Sequence, residues 1–362
     1  MAWLDEIFEQ LERRGASDLH IASGSCPKMR LYGQLETVLD RVFAPEECAN
    51  VLNELVSEED WDKFINKRDL DFAYETPGGV RVRACFTMTD AGVGAAFRLI
   101  PHAVRTADEL GLPDVLTRLS MVRRGLVLVT GATGSGKSTT LAAMIDHINT
   151  RSSRHVILLE DPIEFVHDDK QSFIVQREVG IHASSYAQAV SAAMREDPDV
   201  IMVGELRDRE TMEQVLAAVE MGFLVIGTLH TGSAPKAIGR VLDMFEPAQR
   251  PSARLTLAAG LRGVVAQQLL RRSDGRGMVA VQEVLINTHA VANMIRAGES
   301  GKLHSVMQTG QGAGMQTMDQ ALMSALLAGQ ITGDDAYVRA QNRDLFVRYA
   351  SDTVHLIHQY LS

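Results

Sequence analysis

The stretch LVLVTGATGSGKSTTLAAM, Leu126–Met144, decides the fold class of this 362-residue chain. An apolar run of the β type ends at a glycine-rich segment with the spacing G-x-x-x-x-G-K-S, and a helix-forming run follows directly. In that setting, the backbone N–H groups of the loop and of the helix N-terminus can surround phosphate groups. The sequence therefore predicts a phosphate-binding loop between a strand and a helix, and with it a nucleotide site.

The roles of single residues in this loop follow from the chemistry of phosphate and Mg²⁺. Lys137 is expected to neutralise the β- and γ-phosphates, and the Ser138 hydroxyl is expected to hold Mg²⁺. The other predicted nucleotide contacts are Gly131, Thr133, Gly134, Ser135, Gly136 and Thr139. ATP and Mg²⁺ are therefore the expected cofactors.

Further apolar runs around the loop predict an α/β fold. The runs VILLE, VIMVG, LVIGTL and VAVQEVLI are nearly continuous, which suits strands covered on both faces, and helical intervals such as SYAQAVSAAMR separate them. We expect a largely parallel sheet within residues 117–362. From about residue 288 onward the segments ANMIRAG, MDQALMSALLAG and RDLFVRYASDTVHLIHQYL are predicted as helices beside the sheet.

The first hundred residues have a different pattern. An amphipathic helix is predicted at MAWLDEIFEQLERRG, and alternating segments such as MRLYGQLETV and GGVRVRACFTM predict strands. These features predict a small α+β domain over residues 1–100. A polar stretch after Pro101 predicts a linker over residues 101–116.

Composition bounds the class of partner. The net charge of −10 and the pI near 5.6 argue against broad electrostatic binding to nucleic acid or anionic lipid, so a protein partner is expected. No run of eighteen apolar residues occurs, which predicts no direct membrane insertion. Cys26, Cys48 and Cys85 are widely spaced and predict neither a disulfide framework nor a zinc site. These features favour a cytoplasmic protein.

Polar residues follow three of the predicted strands. In open α/β sheets, ligands bind beyond the carboxyl ends of the strands, and Glu160, Glu205 and His230 occupy such ends. Phosphoanhydride hydrolysis needs an oriented water, a metal and positive charge. We expect Glu160 to orient the water and Glu205 to serve Mg²⁺, although the two roles could be exchanged. His230 is expected either to sense the γ-phosphate or to form a structural link.

Several motifs resemble those of the secretion-superfamily ATPases of type II secretion and type IV pili, and within them the PilT-type twitching-motility retraction motors. GATGSGKSTTLAAMIDHIN resembles the family Walker A motif, EDPIEFVH its Asp box, MREDPDVIMVGELRD its Walker B motif and GTLHTGSA its His box. ASDLHIASGSCPKMRLYGQL resembles the N-terminal domain, and GMQTMDQAL resembles the segment after the motor core. The resemblance covers almost the whole chain and implies a RecA-like P-loop domain preceded by a PAS-like domain.

The resemblance also implies a homohexameric ring that hydrolyses ATP between subunits and retracts pili. Its expected partners are an inner-membrane platform protein and the rest of the pilus machinery, so that a cytoplasmic motor meets the inner membrane only peripherally. Arginines are implied to act across the interface, and their candidates here are Arg81, Arg83 and Arg98. Arg195 and Arg207 flank the Walker B strand and are further candidates.

The chain departs from the family pattern in four places. TMTDAG replaces the QR-G signature between the N-terminal arginines, Phe223 replaces a histidine at the start of the His-box strand, and VANMIRAG is all that remains of a C-terminal A-I-R-N-L-I-R-E motif. The four-cysteine zinc element of assembly and secretion ATPases is absent, which favours retraction. The alternatives left open are a pilus-assembly or type II secretion ATPase, a nucleic-acid translocase and a small-molecule phosphotransferase.

Overall fold

The computed structural model describes residues 3–100 and 104–352, and the chain divides into two compact units, Met1–Ala103 and Val104–Ser362. The first unit is built around an antiparallel sheet in the order β3-β2-β1-β6-β5-β4. Its elements are α1 (Trp3–Arg14), β1 (Ala16–Ala22), β2 (Lys28–Leu31), β3 (Gln34–Thr37), α2 (Pro45–Asn53), α3 (Glu58–Lys67), β4 (Asp69–Glu75), β5 (Arg81–Thr89) and β6 (Gly92–Ile100).

Alternation along the strands builds the core of this unit. On β5, Val82, Ala84 and Phe86 are buried, whereas the alternating residues Arg81, Arg83 and Cys85 lie on the opposite face of the sheet. Helix α1 buries Leu4, Phe8 and Leu11 as its amphipathic pattern predicts; Met1 and Ala2, which belong to the predicted helix, lie outside the described residues.

The second unit contains a sheet in the order β13-β12-β7-β11-β10-β8-β9, in which neighbours run parallel except β12 and β13. Its strands are β7 (Gly125–Thr130), β8 (His155–Glu160), β9 (Phe173–Glu178), β10 (Val200–Val203), β11 (Leu224–Leu229), β12 (Leu261–Arg271) and β13 (Met278–Ile286). Its helices are α4 (Asp114–Ser120), α5 (Lys137–Arg151), α6 (Tyr186–Ala193), α7 (Arg209–Met221), α8 (Ala234–Asp243), α9 (Arg250–Gly260), α10 (His289–Ala297), α11 (Leu303–Thr309), α12 (Met318–Leu327) and α13 (Gly333–Arg339).

The central strands are buried on both faces, as their continuous apolar runs predict. Leu126 and Leu128 of β7 belong to the core that α6 to α9 cover, and Val127 and Val129 face the core beneath α5. The α/β fold predicted from these runs is confirmed. None of the helices in the described ranges combines the length and the apolar composition needed to cross a bilayer.

Two segments differ from the sequence expectations. The stretch predicted as a linker is partly packed, because Ala107, Leu112 and Leu116 are buried in the core beneath α5; residues 101–103 lie outside the described residues. The continuous helix predicted at RDLFVRYASDTVHLIHQYL is wrong in its first part. Arg343–Leu345 and Val347–Tyr349 form short 3₁₀ turns, and residues 353–362 lie outside the described residues.

Tertiary contacts explain the loss of that helix. The Asp319 carboxylate accepts the backbone N–H groups of Gln341 at 2.7 Å and Asn342 at 2.9 Å. The Asn342 side chain in turn accepts the N–H of Asp344, and Phe346 is fully buried against α12 and α13. These contacts fix the chain direction locally and override helix propensity.

Candidate active site

The phosphate-binding loop connects β7 to α5, and its glycines are required by its shape. Gly131, Gly134 and Gly136 have φ angles of 156°, 76° and 83°, which disfavour any other residue. A Cβ at Gly131 would lie 2.4 Å from the carbonyl oxygen of Gln267 and 2.5 Å from Ser135 Oγ. The loop backbone therefore approaches β12 too closely for a side chain.

The polar groups of this loop fit a phosphate chain. Gly136 is the N-cap of α5 and no side chain caps this helix, so the N–H groups of its first turn are available to an anion. Ser135 Oγ is buried and has no hydrogen-bond partner in the described part of the chain. Lys137 is buried and donates to the carbonyl oxygens of Gly131 at 2.9 Å and Ala132 at 3.0 Å. Burial lowers the pKa of Lys137, while Glu205 and Glu164 oppose that shift.

Glu160 ends β8 and is 8% exposed. Its Oε2 accepts the backbone N–H of Glu164 at 3.2 Å, and its Oε1 accepts Nε2 of Gln176 at 3.1 Å. Burial raises the pKa of Glu160 to about 7, although both hydrogen bonds lower it. A carboxylate with that pKa can take up and release a proton near neutral pH.

Glu205 follows β10 and bridges two further predicted site residues. Its Oε2 accepts Nη2 of Arg207 at 2.7 Å, and its Oε1 lies 3.0 Å from Nε2 of His230. The hydrogen bond from Arg207 is the main cause that lowers the pKa of Glu205, and the charge of His230 lowers it further. The two glutamates therefore have opposite shifts: Glu160 is readily protonated, and Glu205 stays ionised.

The strand order brings these groups to one edge. Strand β10 lies between β8 and β11 and runs parallel to both, so the residues after their carboxyl ends are neighbours. A Cβ at Gly204 would lie 3.0 Å from the Tyr186 hydroxyl, which explains the glycine before Glu205. At the end of β7, Thr130 Oγ1 accepts the N–H of Thr231 at 2.8 Å and ties the His-box segment to the phosphate loop strand.

The predicted arginines take three different placements. Arg207 contacts Glu205, whereas Arg195 is exposed in the turn after α6 and its Nη1 donates to the carbonyl oxygen of Ser191 at 2.9 Å. Arg83 and Arg98 are cross-strand neighbours on the outer face of the N-terminal sheet, and Arg81 lies on the same face. Each of these three has a carboxylate partner in its own sheet: Arg81–Glu75 at 3.4 Å, Arg83–Asp71 at 3.8 Å and Arg98–Asp18 at 3.0 Å.

Phe223 lies just before the amino end of β11, whereas His230 follows the carboxyl end. The backbone N–H of Phe223 donates to the carbonyl oxygen of Ala218, and the carbonyl oxygen of Phe223 accepts the N–H of Gly125. The side chain of Phe223 is half-buried against the core. At the rise of an extended strand the two positions are roughly 20 Å apart. The replacement of histidine at 223 therefore leaves the contact between His230 and Glu205 intact.

A Mg²⁺ ion fits this site through few protein ligands. Ser138 is half-buried in the first turn of α5, where its hydroxyl can serve as one ligand. Both oxygens of Glu205 already have donors, so this carboxylate fits a contact with the ion through a bound water better than direct coordination. Within the described residues no group of three or more His, Cys, Asp or Glu side chains is arranged so that it could hold a metal ion.

Several residues at this site were not predicted from the sequence. Gln176 hydrogen-bonds Glu160, Glu164 lies near Lys137, and Gln267 supports the phosphate loop from β12. Gln176 in β9 and the pair Gln267 and Gln268 in β12 belong to no motif. A polar pair between the apolar runs of β12 is the one signal that could have indicated Gln267.

The chain is similar to known proteins over most of its length. The family described as type II/IV secretion system protein matches residues 2–307. The chain is 43% identical over 318 residues to the twitching motility protein of Neisseria gonorrhoeae, covering 88% of this chain and 85% of that protein. It is 40% identical over 338 residues to a Pseudomonas aeruginosa protein named type IV pilus retractation ATPase PilT, covering 93% and 98% of the two chains.

A solved structure agrees with these relatives. The crystal structure of the pilus retraction motor PilT with bound ADP matches with a TM-score of 0.85 at 40% identity, over 95% of this chain and 99% of that one. The chain belongs to the type II/IV secretion system protein family.

Proposed function

We propose that this chain is an ATP-hydrolysing motor that powers the retraction of type IV pili. The main support for this chemistry is the position of Glu205. It lies between Arg207 and His230 at the strand edge, and its charge raises the pKa of Lys137 in the phosphate-binding loop. The relatives named for twitching motility and pilus retraction, which align over most of the chain, supply the biological context.

The residues of the site divide the work of hydrolysis. The loop from Gly131 to Gly136 and the first turn of α5, including Thr139, hold the phosphates, and Lys137 neutralises their charge. Mg²⁺ would supply Lewis-acid charge at the phosphate oxygens, held by Ser138 and, through water, by Glu205. Glu160 orients and deprotonates the attacking water, which suits a raised pKa.

His230 is placed to report the state of the nucleotide. Its Nε2 contacts Glu205, and α8 begins four residues later with Ser233 as its N-cap. A change at the γ-phosphate position alters the partners of Glu205, and with them those of His230. Helix α8 would then shift with hydrolysis.

The proposed assembly is a homohexamer in which arginines act across subunit interfaces. Arg81, Arg83 and Arg98 lie on a solvent-facing sheet surface, where a neighbouring subunit can approach, and Arg195 is exposed beside the Walker B strand. The partners of the homohexamer would be a platform protein of the inner membrane and the pilus machinery, which it would contact from the cytoplasmic side. The acidic net charge of −10 disfavours nucleic acid as the moving load.

The resemblance implies that a four-cysteine zinc element is common in the type II secretion and pilus-assembly ATPases. The chain holds only three cysteines, one fewer than that element needs. Retraction therefore fits the sequence better than assembly does.

Gene deletion with complementation tests the direction of the motor. Cells that lack the gene should accumulate surface pili and lose twitching motility, and wild-type protein should restore both properties. Complementation with Lys137→Ala should fail, since that variant cannot bind the triphosphate. Loss of surface pili from the deletion strain would instead identify an assembly motor.

A further inference from the structure

A buried hydrogen-bond chain begins beneath the phosphate-binding loop. Gln267 of β12 is 2% exposed, and its Nε2 donates to the carbonyl oxygen of Ser135 at 2.7 Å. Its Oε1 accepts the hydroxyl of Thr140 at 2.8 Å. One side chain therefore holds both the loop and the first turn of α5, the two elements that provide N–H groups to phosphate.

The chain continues away from the loop through β13. Gln282 lies directly opposite Gln267 in the antiparallel register and is 3% exposed. Its Nε2 donates to Oε1 of Gln267 at 3.3 Å. Because both amides are buried and neither can turn to water, the position of one constrains that of the other.

The chain ends in the segment that precedes α12. Nε2 of Gln316 donates to the backbone carbonyl oxygen of Gln282 at 2.7 Å. Gln316 also exchanges two backbone hydrogen bonds with Val284, at 2.9 and 3.1 Å, so it forms a one-residue extension of the sheet. The next residue, Thr317, is the N-cap of α12. The start of α12 is thereby tied to β13, the strand that pairs with β12 and its loop support Gln267.

We propose that Gln267 is a positioning residue for nucleotide binding, and that the chain Gln267–Gln282–Gln316 couples the phosphate-binding loop to the segment that starts α12. The coupling rests on the proposed function only in that the loop must bind a nucleotide. A phosphate that draws the loop N–H groups toward itself moves Ser135 and Thr140. The side-chain amides of Gln267 and Gln282 carry that change to β13, and the backbone carbonyl of Gln282 carries it to Gln316. By linkage, loosening Gln316 weakens nucleotide binding.

Binding of ADP with Mg²⁺ to the full chain, measured by titration calorimetry, tests this coupling. Gln316→Met removes the last link without touching the loop, and the dissociation constant should rise about fivefold or more. Gln267→Met should raise it at least as much. The double variant should be no weaker than Gln267→Met alone, because the single substitution already breaks the chain.

Gln320→Met is the matched control. Gln320 is also a half-buried glutamine at the start of α12, where it completes the capping box with Thr317 and donates to the carbonyl oxygen of Gln308 at 3.3 Å. It has no bond to β13. Its variant should lose a similar amount of thermal stability but keep the affinity for ADP within about twofold.

The outcomes separate the coupling from the function itself. Unchanged ADP affinity in Gln316→Met, at a stability loss equal to that of Gln320→Met, would overturn the coupling. If Gln267→Met fails to fold, the coupling is still tested by comparing the ADP dissociation constants of Gln316→Met and Gln320→Met. A wild-type chain that binds no nucleotide would instead refute the proposed function.

Discussion

At the scale of single residues, two carboxylates of the same type acquire opposite properties from their surroundings. Glu160 is enclosed by the sheet, and burial raises its pKa to about 7. Glu205 meets the guanidinium of Arg207 and the ring of His230, and its pKa is lowered. The sequence places both at strand ends but cannot distinguish them, because the distinction comes from the depth of burial of Glu160 and from the contacts of Glu205 with Arg207 and His230.

The raised pKa of Glu160 predicts a pH-dependent stability. The folded chain binds this proton more tightly than the unfolded chain, so the contribution is fully present below the ordinary value of 4.5 and is lost as the pH rises through about 7. The loss is about 3 kcal/mol across that window. Urea unfolding at pH 5 and pH 8.5 should therefore show that the free energy of unfolding falls more between these pH values for the wild type than for Glu160→Gln. Equal losses in both proteins would contradict a buried, protonated Glu160.

Glu205→Gln tests the charge at the site. Without that charge, Arg207 and His230 lose their shared partner and the metal loses an outer contact. The turnover of ATP should fall about 10²-fold to 10⁴-fold, while the affinity for ATP stays within an order of magnitude. Stopped-flow binding and steady-state phosphate release measure the two quantities on the same sample. Full turnover in this variant would remove Glu205 from the mechanism.

At the scale of elements, the strands and the loop were predictable and the contacts between distant segments were not. The apolar runs around Leu126–Met144 predicted β7, β8, β10 and β11, because fully buried strands have few alternatives for their sequence pattern. The stretch after Asn342 has a helical pattern, yet Asp319 and the buried Phe346 bend it into 3₁₀ turns. Local periodicity does not record such tertiary contacts.

Glu283 shows how one side chain joins elements. It is 1% exposed on β13, and its Oε1 accepts the N–H of Ala234 at the start of α8 at 2.7 Å. Its Oε2 accepts Nε2 of Gln341 at 3.3 Å, and the backbone of Met318 at the start of α12 also bonds it. The carboxylate thus accepts hydrogen bonds from the first residues of two helices, α8 and α12.

Glu283→Ala should destabilise the chain by about 2 to 3 kcal/mol, because it leaves two buried helix starts without an acceptor. Glu299→Ala is the control, since Glu299 is a surface residue paired with Lys302, and its loss should cost at most about 0.5 kcal/mol. Thermal or urea unfolding of the three proteins gives the comparison. Similar stability of both variants would show that Glu283 does not hold these helices.

At the scale of the whole molecule, the proposed homohexamer would have one subunit complete the site of the next. Of the N-terminal arginines, Arg98 is the best positioned to contact a neighbouring subunit. Its Nε contacts the largely buried carboxylate of Asp18 at 3.0 Å, while 68% of the Arg98 side chain is exposed. The terminal nitrogens of the guanidinium therefore remain available to a phosphate of a neighbouring subunit.

Mixed assemblies test a role of Arg98 in trans. Arg98→Ala alone should lower ATP turnover by about 10³-fold, as expected for an arginine at the transferred phosphate. Mixing it with Lys137→Ala subunits should restore activity, because some interfaces then pair an intact loop with an intact arginine. Arg13→Ala, at an exposed arginine of α1, is the control and should keep full turnover. No recovery on mixing would place the arginine in cis or outside the site.

The most direct measurement is the rate of ATP hydrolysis per subunit as a function of protein concentration, with the oligomeric state followed by light scattering on the same samples. Hydrolysis at subunit interfaces predicts that the rate per subunit is low for the monomer and rises with the fraction of assembled rings. A rate per subunit that is full in the monomer and constant across the assembly transition would contradict it.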